Sequence, residues 1–102
     1  VRAENSAFLA GREGASAPAF SFHDDSDTGI FNVNANILGF STAGSERGRI
    51  DASGNVLIGK TSASTSTAGF EVRPNGLIYS GIDQNEVLIL NRLNNGGSIV
   101  DL

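Results

Sequence analysis

Ile50-Asp51-Ala52-Ser53-Gly54-Asn55-Val56-Leu57-Ile58-Gly59 reads as a strand end, a glycine turn and a short returning strand. A second copy runs Val72-Arg73-Pro74-Asn75-Gly76-Leu77-Ile78-Tyr79, and a third Leu93-Asn94-Asn95-Gly96-Gly97-Ser98-Ile99-Val100. In each, an aliphatic residue is followed four positions later by glycine and six positions later by another aliphatic residue. The starts lie 22 and 21 residues apart. A period near 20 means one small unit repeated along an axis, so Gly54, Gly76 and Gly97 are the expected structural turns.

Outward from this unit, short apolar runs recur every eight to ten residues, a rhythm that predicts an all-β fold of short strands and glycine turns. Expected strands are Phe20–Phe22, Ile30–Val33, Ile37–Phe40, Val56–Ile58, Phe70–Val72, Leu77–Tyr79, Glu86–Asn91 and Ser98–Leu102. His23–Gly29 reads as a polar turn. Asn32, Asn34 and Asn36 alternate with Phe31, Val33, Ala35 and Ile37, predicting one apolar and one amide-lined face. Glu4–Arg12 has room for a helical turn or two. Thr61–Ala68 is a low-complexity connection, dividing a β-rich segment over 1–60, with its polar lead-in, from a second segment over 61–102.

Of 102 residues, Val, Ile, Leu and Phe supply 28, while Gly, Ser and Asn supply 35. A core of its own would be thin at this size. Val87-Leu88-Ile89-Leu90 is apolar on both faces and needs cover on both sides, and little apolar material remains within the chain to provide it. A partner chain is therefore expected. The ends of the sequence read as those of a piece of a longer protein.

Charge narrows the functional classes. The net charge is -4, and seven Lys and Arg are scattered along the chain. No basic face is available to displace counterions from nucleic acid. The longest apolar run is far short of the roughly 20 residues that span a bilayer, so no membrane insertion is expected. Cysteine is absent, which excludes disulfides and cysteine-bound zinc.

Two motifs carry the form of chemistry without its context. Gly54-Asn55-Val56-Leu57-Ile58-Gly59-Lys60-Thr61 satisfies the phosphate-cradle pattern G-x-x-x-x-G-K-T, which requires a buried strand before it and a helix after it. Here the middle residues are themselves strand-like. Asp24, Asp25 and Asp27, beside His23, are the only dense set of oxygen ligands for a hard cation, but the twelfth position of a calcium loop is Ala35 in place of Glu. They remain candidates for a solvated turn, with no metal or other cofactor expected. No nucleophile elbow accompanies His23, and no enzyme activity is expected. Asn32, Asn34, Asn36 and Tyr79 are the candidates for contact with a glycan. Glu46, Arg47 and Arg49 are expected in surface or inter-chain ion pairs.

Pro18–Phe22, Asp25–Phe31, Ala35–Gly44, Glu46–Thr61 and Leu88–Leu93 through Gly97–Val100 together resemble segments of bacteriophage tail fibre and tailspike proteins. The resemblance covers most of residues 18–102. It implies an intertwined homotrimer, a β-prism or triple-stranded β-helix shaft, in which apolar residues of each chain point at a common axis. Ile50, Val56, Ile58, Val72, Ile78, Leu88 and Leu90 are then the trimer-core candidates. It implies a structural role in the virion, connecting it to a host-binding tip, with other tail components as partners. The alternative is a carbohydrate-binding module for host lipopolysaccharide or capsule polysaccharide, or part of a capsule depolymerase.

Overall fold

The computed structural model describes residues 8–93, 96, 97, 99 and 100. The chain is all-β, and no helix occurs among the described residues. Seven strands form one antiparallel sheet in sequence order: β1 (Phe20–Phe22), β2 (Asp25–Asn34), β3 (Ile37–Thr42), β4 (Ser45–Ile50), β5 (Val56–Ile58), β6 (Gly69–Val72) and β7 (Ile78–Gly81). Each strand pairs only with its sequence neighbours, so the sheet is a simple meander. Pairing of β5 with β6 carries it across the Lys60–Thr61 junction.

Turn chemistry sets the register. Ile50 pairs with Val56, and between them Gly54 N donates to Asp51 O while Asp51 N donates to Asn55 O. Gly54 has φ +89°, the left-handed position that closes a three-residue hairpin loop. The second unit repeats this: Val72 pairs with Ile78, Gly76 N donates to Arg73 O, Arg73 N donates to Leu77 O, and Gly76 has φ +94°. The repeat is thus one hairpin geometry used twice at the same end of the sheet. Gly97 also has positive φ, +65°, but Asn94, Asn95 and Ser98 of the third unit lie outside the described residues.

Some expectations are corrected. The polar turn expected over 23–29 shrinks to His23–Asp24, and β2 begins at Asp25. Its pairing with β1 jumps from Ser21↔Gly29 to Phe22↔Asp25, so the intervening residues bulge. They are tied to the next turn instead: Gly44 N donates to Asp27 O, and Ala43 N to the Thr28 hydroxyl. The asparagine alternation does not run through residue 37. β2 stops at Asn34, and Ala35–Asn36 turn the chain with Asn36 at φ +65°. Val87–Leu90 is not a strand and stays exposed. Gln84, at φ +57°, reverses the chain after β7, but no ladder forms between β7 and the returning segment. Residues 8–12 are not helical, and residues 4–7 of the expected helical turn lie outside the described part. In the last expected strand, Ile99 and Val100 are not in a strand; Ser98, Asp101 and Leu102 lie outside the described residues.

Candidate functional site: an uncovered apolar sheet face

The ladder pairings line side chains up across the sheet. One row runs Phe20, Ile30, Phe40, Gly48, Ile58, Phe70, Ser80. A second, on the same face two residues along each strand, runs Asn32, Leu38, Ile50, Val56, Val72, Ile78. Between them, on the opposite face, lies Phe31, Gly39, Arg49, Leu57, Glu71, Tyr79. Strand residues alternate between faces, so the first two rows make an apolar face and the third makes a mixed, charged one.

Burial does not follow hydrophobicity alone. Glu71 and Leu57 are both 0% exposed and Phe31 is 5%. On the apolar face, Ile58 is 49% exposed, Phe20 52% and Ile78 66%. Among the described residues, Phe31 and Leu57 are the only buried core hydrophobics. The accessible surface is 7622 Å², against about 5,400 Å² expected for a compact monomer of this mass.

The charged face is buried because the 61–68 connection folds across it. Backbone without secondary structure must find hydrogen-bond partners, and the sheet supplies them. Lys60 Nζ donates to Ser64 O (2.6 Å) and Glu71 Oε1 (2.7 Å); Ser64 N donates to the same carboxylate oxygen (3.0 Å). Arg73 Nε donates to Glu71 Oε2 at 2.6 Å. Tyr79 donates its hydroxyl to Thr65 O (2.7 Å), and its ring centroid lies 4.9 Å from Lys60 Nζ. Arg49 Nη1 reaches Thr61 O (3.3 Å) while pairing with Glu46. The hydrogen bond from Lys60, then that from Ser64 N, and the bond from and charge of Arg73 hold the Glu71 carboxyl down at about 2, against the opposing pull of burial. Glu46 raises the pKa of the Arg49 guanidinium through its hydrogen bond.

The sheet brings five trimer-core candidates together: Ile50, Val56, Ile58, Val72 and Ile78 share the apolar face. Leu88 joins its margin, lining a groove of about 560 Å³ with Val87, Phe70 and Ile78. Leu90 is off the sheet and 48% exposed. The glycan-contact candidates are not brought together. Tyr79 lies on the charged face of β7, five strands from β2, with its hydroxyl already bonded. Asn32 donates to Asn34 O and Ile37 O and accepts from Arg12 Nε, closing the β2–β3 hairpin. Asn34 Oδ1 accepts from Ala35 N, and Asn36 is the turn residue itself.

The remaining candidates are accounted for by turns and ion pairs. His23 and Asp24 pair with each other at 2.9 Å on a solvated turn. Asp24, Asp25 and Asp27 form no metal-binding group, and none of three or more His, Cys, Asp or Glu occurs among the described residues. In the phosphate-cradle string, Gly54 and Gly59 are left-handed turn residues at the two ends of β5, and Lys60 is occupied by Glu71. Among the described residues, no helix is long and apolar enough to cross a membrane.

Glu71 and Lys60 are the site residues that sequence reasoning missed. Glu71 sits between Phe70 and Val72 in an alternating strand, which reads as a charged outer face. Only the folded-back connection makes that face the inside. No family model, curated protein or solved structure matches the chain.

Proposed function

We propose that this chain is a structural, self-assembling segment of a phage tail fibre or tailspike, linking virion to host-binding tip as a homotrimer. The observation that supports this reading is the apolar face. Two rows made largely of Phe, Ile, Leu and Val, broken by Asn32, Gly48 and Ser80, stand uncovered along the sheet, while Arg49, Glu71 and Tyr79 on the other face are roofed by the chain's own connection. Contiguous exposed apolar side chains mark interaction surfaces, and identical chains packed around an axis would cover them. The role is mechanical: a trimer with a shared apolar axis unfolds slowly and resists proteases. Partners are two further copies and neighbouring tail components.

The test is mass by light scattering at micromolar concentration, with mobility in unboiled detergent gels. A trimer that resists detergent until boiled is expected, and a monomer overturns the reading. No observation favours the alternative of a glycan-binding module: Asn32 is engaged in the chain's own hairpin, Asn34 Oδ1 is taken by Ala35 N, and Tyr79 stands on β7 with its hydroxyl bonded to Thr65 O.

A further inference from the structure

The two glycine hairpins share one geometry but differ in the residue before the glycine: Ser53 precedes Gly54, whereas Asn75 precedes Gly76. That difference carries chemistry. A carboxamide next to glycine is open to attack by that glycine's own backbone nitrogen, because no side chain shields the nitrogen. Asn75 and Gly76 are both exposed, and a Cβ at Gly76 would meet nothing within 4 Å. In the other Asn-Gly pair of the sequence, Asn95 lies outside the described residues. The hairpin holds Asn75 back from this reaction. Gly76 N donates to Arg73 O and Arg73 N to Leu77 O, both at 2.9 Å, and Leu77 N donates to Asn75 Oδ1 at 3.1 Å. With Pro74 leading and Gly76 at φ +94°, the loop is a type I turn closed by a left-handed glycine. The position that Asn75 occupies in such a turn has ψ of about 0°, so its bond to Gly76 N eclipses Cα–N. Closing a succinimide ring needs that bond to eclipse Cα–Cβ instead, and the turn must open first.

We infer that Asn75 is a self-modifying position gated by the β6–β7 hairpin: it stays intact while the turn is closed and converts once the turn opens. In the step, Gly76 N bonds to Asn75 Cγ and the Cγ–Nδ2 bond breaks. The amide nitrogen leaves as ammonia, taking the proton from Gly76 N. Water then opens the succinimide at either carbonyl, leaving aspartate or isoaspartate. Isoaspartate carries the main chain through Cβ and Cγ, one atom longer, and no longer fits the loop that pairs Val72 with Ile78. A hairpin that has opened and converted therefore does not reclose in register, which makes the opening irreversible. The consequence falls on the apolar face, where Val72 and Ile78 stand side by side.

The test is peptide mapping of the full chain by mass spectrometry, with isoaspartate separated from aspartate, during incubation in mildly alkaline buffer with and without guanidinium chloride. Conversion at residue 75 should be about tenfold faster in denaturant, the factor set by losing the turn bonds from Gly76 N and Leu77 N. In buffer alone, Pro74→Gly removes the residue that presets the turn and should raise the rate over that of the unmodified chain. Chains that have accumulated isoaspartate should be cut between residues 72 and 78 faster by limited proteolysis. Asn75→Ser, incubated in the same way, keeps an oxygen for Leu77 N and should show no such gain. Equal rates with and without denaturant, or a faster rate in the folded chain, overturn the gating. No conversion at residue 75 in denaturant overturns the site itself.

Discussion

Lys60 Nζ lies 2.7 Å from Glu71 Oε1, with the two side chains 4% and 0% exposed, and this pair holds the 61–68 connection on the charged face of the sheet. Lys60 also donates to Ser64 O, and Glu71 accepts from Ser64 N, so the pair grips both polar backbone groups of Ser64. A buried carboxylate needs such partners to remain charged. Glu71 has three.

Acid should release this clasp. The Glu71 pKa is about 2 in the folded chain, below its ordinary 4.5. A depressed carboxylate contributes stability that is present above the unfolded pKa and lost as pH falls through the folded one. The chain should therefore lose stability from about pH 4.5 down to about pH 2, followed by circular dichroism during thermal melts. Glu71→Gln should lower the melting temperature at pH 7 and flatten its dependence on pH in that window. An unchanged melting profile would show that Glu71 does not carry the acid sensitivity.

Removing the other partner should loosen the connection before the sheet. Lys60→Met leaves Glu71 with Arg73 and Ser64 but takes away the bond to Ser64 O. Limited proteolysis should then cut within residues 61–68 faster than in the unmodified chain, while the β-sheet spectrum is retained. Equal cleavage rates would mean that Glu71, Arg49 and Tyr79 hold the connection without Lys60.

Adjacent residues on β5 should respond in opposite ways. Leu57 is fully buried, and Leu57→Ala should cost about 2–5 kcal/mol, read from denaturant unfolding. Ile58 faces the uncovered side, so Ile58→Asp should leave a folded chain but abolish the proposed self-association, read by light scattering. Loss of folding in both variants, or persistence of the assembly in Ile58→Asp, would contradict the division of faces.

The two hairpin glycines should differ in their tolerance. Both adopt left-handed backbone, which costs a residue with a Cβ roughly 1–2 kcal/mol. At Gly76 an added Cβ meets nothing within 4 Å, whereas at Gly54 it meets Pro74 Cγ at 3.2 Å. Gly54→Ala should thus be the more destabilising of the two in chemical denaturation.

Gly39 carries the packing of the core. A Cβ there would stand 2.6 Å from Val33 Cγ2 and 2.7 Å from Phe31 Cζ, because both side chains lie over its backbone. Gly39→Ala should cost about 1–3 kcal/mol through overpacking, with no effect on the apolar face. A neutral result in thermal melts would show that Phe31 shifts freely.

The amino-acid sequence by itself determined the strand-and-turn grammar. Glycine at the fourth position after Ile50 and Val72 reads directly as a hairpin, because left-handed backbone is a local steric demand. Ile50, Val56, Ile58, Val72 and Ile78 are singled out as a set only through the resemblance to fibre proteins, and the ladder puts all five on one face. Alternation says which residues share a face but not which face is covered. That was decided by the tertiary structure, where the 61–68 connection crosses the side bearing Arg49, Glu71 and Tyr79. Its backbone required donors and acceptors, and charged side chains supply them, so Glu71 is inside and Phe70 outside. The asparagine series failed as a continuous strand for a related reason: Asn36 tolerates positive φ, and the ladder from Phe31 to Gly39 forced a turn at Ala35–Asn36. The fate of Val87–Leu90 was also beyond local rules, since four consecutive apolar residues specify a need for cover without saying what supplies it.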